Sequence, residues 1–78
     1  MRTRFTKAEA QAKLGLCVRT VIDLPGARMG TSGRVVAMSD EIEPGSFDLI
    51  VEWEAFGRRF PIRAHFTRDQ CERWLVEE

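Results

Sequence analysis

Tyrosine is absent from the 78 residues, histidine occurs once, as His65, and cysteine occurs twice, as Cys17 and Cys71. Two cysteines that far apart, without a C-x-x-C pair and with a single histidine, exclude the usual spacing of a zinc site, and no metal is expected. No serine, histidine and acid fall in an arrangement that would support nucleophilic catalysis, so no catalytic residue is assigned and no cofactor is expected. The formal net charge is zero, which speaks against a dedicated binder of polyanions. No apolar run approaches the length that crosses a membrane. The first residues, MRTRFTKAEAQAK, are charged and lack the apolar centre of a signal peptide. The expectation is a cytoplasmic protein with reduced thiols and no membrane partner.

What is present describes an ordinary globule, 44% hydrophobic and 31% charged, long enough for one domain over 1–78 and with little room for a deep catalytic cleft. The charges are segregated. Residues 1–34 carry a net +5, residues 35–57 carry six acids and no base, and residues 58–78 carry a net +1. That distribution allows one acidic and one basic side, or simply clusters of solvated charge.

Two short helices announce themselves by the same start signal. In FTKAEAQAK, Thr6 is placed to cap and Glu9 to close a capping box, with Phe5 and Ala10 at staple positions. Gly15 is placed to end that helix, read as 6–14. In FTRDQCERWL, Thr67 and Gln70 repeat the box, and Cys71, Trp74 and Leu75 form one stripe of a helix read as 68 to about 76. Glu77 and Glu78 oppose the helix dipole, so the last turn is expected to fray, as are residues 1–4.

Between the helices the period changes to two. Phe47, Leu49, Val51 and Trp53 alternate with Asp48, Ile50 and Glu52; Phe60, Ile62, Ala64 and Phe66 alternate with Pro61, Arg63 and His65. LCVRTVIDL and GRVVAM read as two further strands, with SDEIEPGS (39–46) and EAFGR as connections. The fold class is therefore mainly β: a small barrel of four or five antiparallel strands over about 15–66, with a short helix at each terminus.

The stretch LPGARMGTSGRVVAM sets Gly26, Gly30 and Gly33 just before a strand. A phosphate-cradling loop would need a Lys-Ser/Thr pair and a following helix, so the glycines read as structural. Gly30 and Gly33 let the loop turn and enter the strand tightly while Val35 enters the core. The spacing Gly26, Gly30, Gly33, Val35, Met38 resembles the glycine and hydrophobic skeleton of the KOW motif of ribosomal proteins and elongation factors, and more broadly that of SH3-like barrels. The resemblance covers about 15–66. It implies a barrel that docks proteins or RNA, with Met29 standing where KOW motifs usually place a basic residue and Arg28 and Arg34 beside it. Signalling SH3 domains bind proline-rich peptides through tyrosines, which this chain lacks.

His65 is expected outward beside Arg63, as a solvated histidine. Packing is the leading reading of Cys71 and Cys17 is ambiguous, with reactivity left open for both thiols. Phe56 either projects at a hairpin tip beside Arg58 and Arg59, as a contact patch, or folds back over the barrel end. The leading expectation is a non-catalytic module or accessory subunit that binds another protein. The alternative is an RNA- or ribosome-associated module using Arg28, Arg34, Arg58, Arg59 and Arg63. An enzyme whose pocket forms only on oligomerisation ranks third. The oligomeric state is not written in the sequence.

Overall fold

Both FT segments start helices as their chemistry dictates. In the computed structural model, which describes residues 4–54 and 62–78, Thr6 Oγ1 accepts from the Glu9 amide at 3.2 Å and Glu9 Oε1 accepts from the Thr6 amide at 2.9 Å. Thr67 and Gln70 make the same pair at the same two distances. The resulting helices are α1 (Lys7–Lys13) and α2 (Arg68–Trp74). The residues before the caps, Phe5 and Phe66, are buried, as a staple requires.

Five strands make one antiparallel sheet: β1 (Cys17–Thr20), β2 (Ser32–Glu43), β3 (Ser46–Trp53), β4 (Ile62–Phe66) and β5 (Leu75–Glu77), in the order β4-β3-β2-β1-β5. The expected class is mainly β with four or five antiparallel strands and two short helices, and the observed one is mainly β with five such strands and two short helices. Strand alternation places Leu49, Val51 and Trp53 inward, each at most 3% exposed, with Val18, Val35, Phe66 and Leu75. The Trp53 and Phe66 rings meet edge to face at 5.9 Å. Trp53 Nε1 is buried without a hydrogen-bond partner among the described residues. Helix α1 packs on β2 and β3, and α2 on β4 and β5.

The glycines answer to two different demands. Leu24 and Ala27 exchange backbone hydrogen bonds at 2.8 and 3.0 Å around Pro25-Gly26, and Gly26 takes φ +81° there, as the third position of a type II turn requires. Gly33 is needed for space. A Cβ built on it would lie 2.6 Å from Trp53 Cε3 and 2.9 Å from the Glu52 carbonyl oxygen, so the β2–β3 pairing packs the indole directly against bare backbone.

Three expectations are corrected, and one irregularity is added. First, α2 stops at Trp74 and the chain continues as β5, pairing Thr20 with Leu75, Arg19 with Val76 and Val18 with Glu77. The free edge of β1 supplies the ladder that a frayed helical turn would lack, and Leu75 gains a place in the core. Second, β2 runs on through Ser39–Glu43, leaving only Pro44-Gly45 as the turn. Both sides of this extension are largely exposed, so it carries no apolar alternation by which to read it. Third, a register shift between Val35 and Ala37 sets two residues of β2, Val36 and Ala37, against Ile50. Fourth, Arg4, expected to fray, is tied down beside Phe5, while the rest of that expectation, residues 1–3, lies outside the described residues. Phe5 and Phe47 exchange backbone hydrogen bonds at 2.8 and 2.9 Å, and Arg4 Nε reaches Asp48 Oδ1 at 3.2 Å. Asp48, expected among solvated acids, is therefore 3% exposed and paired.

Candidate functional site

Antiparallel register assembles the outer face of the sheet. Cys17 on β1 pairs with Arg34 on β2, Arg34 with Glu52 on β3, and Glu52 with Arg63 on β4. Because side chains directly opposite share a face, these four form a single row across four strands. A second row runs from Ala37 through Ile50 to His65, and a third from Val76 through Arg19 to Ser32. Arg19, Arg34, Arg63, His65 and Val76 are exposed, and Cys17, Ile50 and Glu52 are half-buried. Among the described residues the helices lie on the other side: the inner face, with Val18, Val35 and Leu49, lines the space beneath α1 and α2.

The electrostatics of the face are mixed. Arg63 Nε donates to Glu52 Oε2 at 2.8 Å. Arg19 Nε lies 3.8 Å from Glu78 Oε1, and Ser32 donates to the same oxygen at 2.7 Å. Arg34 has no ion-pair partner among the described residues and is the face's least neutralised cation. Opposite charge across the strands holds the guanidinium of Arg63 in place, at a gain of about 0.2–1 kcal/mol in so exposed a pair.

Of the residues singled out from the sequence, the structure brings Arg34 and Arg63 together, on either side of Glu52. Arg28 lies apart from all three rows, in the loop before β2, where its carbonyl accepts from the Thr31 amide at 2.9 Å. Phe56, Arg58 and Arg59 lie outside the described residues. Gly26 and Gly30 take positive φ in the loop, and Gly33 has no room for a Cβ at the strand entry. Arg19 was missed. Its signal was available, since Cys17 and Arg19 alternate with the buried Val18 and Thr20 and so must share the outer face.

The two thiols fall on opposite sides of the sheet. Cys17 belongs to the outer row, while Cys71 packs against the core from α2. Burial pushes the Cys71 thiol up to about 12, against a small pull from Lys13 and with minor help from Asp48 and Glu72. That thiol is a packing group and a poor nucleophile. Among the described residues no cluster of His, Cys, Asp and Glu is grouped to hold a metal ion, and no helix is long and apolar enough to cross a membrane.

Comparison of the chain with protein-family models, with curated proteins and with solved structures finds no match.

Proposed function

We propose that this chain is a small, non-catalytic protein-binding module of SH3-like architecture, an accessory partner to another protein in the cytoplasm, which it docks through the outer face of its sheet. The observation that carries the reading is the row Cys17–Arg34–Glu52–Arg63, flanked by the half-buried Ile50 and the exposed Val76. Arginines on a rigid strand, set beside partly exposed aliphatic carbon, are the material of binding hot spots. A fifth strand that returns beside the first after a short helix supports the SH3-like reading.

RNA is the alternative occupant of the same face, and Arg34, together with Arg28 beyond it, favours it. The neutralisation of Arg63 by Glu52 and the proximity of Glu78 to Arg19 favour protein. A polyanion is drawn by a long-range positive field, and two of the three arginines here face carboxylates.

The test pairs affinity capture with an RNA titration at low and physiological salt, using wild type, Arg34→Glu/Arg63→Glu and Phe56→Ala. The expected result is a captured protein that the double variant releases while its melting temperature is kept, with RNA binding weak throughout. Tight RNA binding that falls steeply with salt, survives Phe56→Ala and vanishes in the double variant would replace this reading with the RNA one.

A further inference from the structure

On the other side of the sheet, α1 and α2 leave a cavity of about 440 Å³ between them. It opens to solvent at one side, and its volume lies within the range of small-molecule pockets. Five of its walls, Phe5, Val18, Val35, Leu49 and Leu75, are at most 8% exposed. The floor therefore lies deep beneath the helices. Ala12, Leu16, Cys71 and Val76 add to this apolar lining.

The charged groups sit at the rim and are paired with one another. Lys13 bonds Glu77. Arg68 meets Glu9 at 3.4 Å and Glu72 at 3.0 Å. The rim thus sets three carboxylates against two cations. Among the described lining residues, Cys71 is the one polar side chain away from the rim, and it is a weak donor.

We infer that this cavity is a binding site for a neutral, apolar small molecule, an aromatic or aliphatic hydrocarbon without a charged head. Apolar walls favour hydrocarbon guests, which gain by leaving water in proportion to the apolar area they bury. The depth of the floor selects a free molecule over a docked protein surface, which would meet the ion-paired rim first. The excess carboxylate at the rim selects against an anionic amphiphile. The site opens on the opposite side of the sheet from the outer face, with Val76 of β5 bordering both.

The experiment titrates the full chain with N-phenyl-naphthylamine, a neutral probe that brightens when it leaves water, and with anilinonaphthalene sulfonate, which adds one negative charge to a closely similar skeleton. The expected result is saturable one-to-one binding of the neutral probe, with a raised melting temperature and slower modification of Cys71 by a neutral thiol reagent. The sulfonate should bind at least about tenfold more weakly. Ala12→Phe fills the cavity from an exposed position on α1 and should weaken the neutral probe about tenfold without lowering the melting temperature. Arg34→Glu/Arg63→Glu should leave probe binding unchanged, which keeps this test separate from that of the outer face. The inference is overturned if the neutral probe does not saturate, if the sulfonate binds as well or better, or if a folded Ala12→Phe protein binds the probe as wild type does. Should Ala12→Phe disturb α1, Cys71→Phe fills the same space from α2 and is read the same way.

Discussion

One sheet presents two unlike faces, built from alternate residues of the same strands. Inward, Leu49, Val51 and Trp53 are almost wholly out of water and the packing is close enough that Gly33 has no room for a methyl group. Outward, their chain neighbours Ile50 and Glu52 stay half exposed and make cross-strand partners with His65, Arg63 and Arg34. A residue's contribution to stability therefore depends more on which side of the pleat it occupies than on its place in the chain. The inner positions hold the fold. The outer ones are free to vary in chemistry at little structural cost, as a recognition surface needs.

That contrast can be broken most severely at Trp53. Trp53→Ala should destabilise by about 3–5 kcal/mol, read as a fall in the urea midpoint with unchanged slope, and a water-exposed emission spectrum of the native indoles would contradict the inward placement. Trp53→Phe keeps a ring and removes the unpartnered Nε1–H, so it should lose only part of that amount. Gly33→Ala comes next. The new methyl would press on the Glu52 carbonyl and the indole at once, and overpacking of this kind costs about 1–3 kcal/mol. Combined with Trp53→Phe, which also lacks part of the large ring, the penalty of Gly33→Ala should shrink in a double-mutant cycle.

Smaller effects sharpen the comparison. Thr67→Ala removes the acceptor for the Gln70 amide and should lose roughly 0.5–2 kcal/mol, with Thr6→Ala in the same range because its box has the same geometry. On the outer face, Arg63→Ala should change stability by less than about 1 kcal/mol while altering any binding that uses the face. The thiols give the mildest contrast, visible in rate and at high pH. With its thiol held up to about 12, Cys71 carries a thiolate fraction on the order of one in ten thousand at pH 8. Maleimide should therefore modify Cys17 first. The sign follows from proton binding: the folded thiol keeps its proton to about 12, while the unfolded one loses it near ~8.5. The stabilisation is thus complete at neutral pH and is lost as pH climbs between those values, and Cys71→Ala should flatten that alkaline decline.

How much of this was legible depends on whether a residue's role is set locally. The capping boxes are, because Thr6 with Glu9 and Thr67 with Gln70 meet within one turn. So is the inward set of β3, which its own alternation declares. The roles of Leu75–Glu77 and Asp48 are not. The first become a strand only because β1, at the far end of the sequence, has an unpaired edge; the second is buried only because Arg4 and Phe5 are brought across it. The candidate face divides in the same way. Arg34 and Arg63 stand out as basic residues near strands, but their grouping around Glu52 follows from registers that the bulge at Val36 displaces. The cavity between the helices depends on where two separate elements come to rest, and no local pattern foretells it.

The pairing of β1 with β5 also sets an order of assembly. The β2–β3 hairpin closes through the two-residue turn Pro44-Gly45 and can zip on the microsecond scale of such hairpins. Val18 and Glu77, by contrast, come from opposite ends of the sequence, and closing so long a loop exacts its entropy before any contact repays it. The hairpin is thus the expected early structure and β5 the last to dock. The same inequality runs in reverse in the native protein. Amides of β5 should exchange their hydrogens through small, frequent openings, while those of Val35 and Val51 should wait for the whole molecule to unfold.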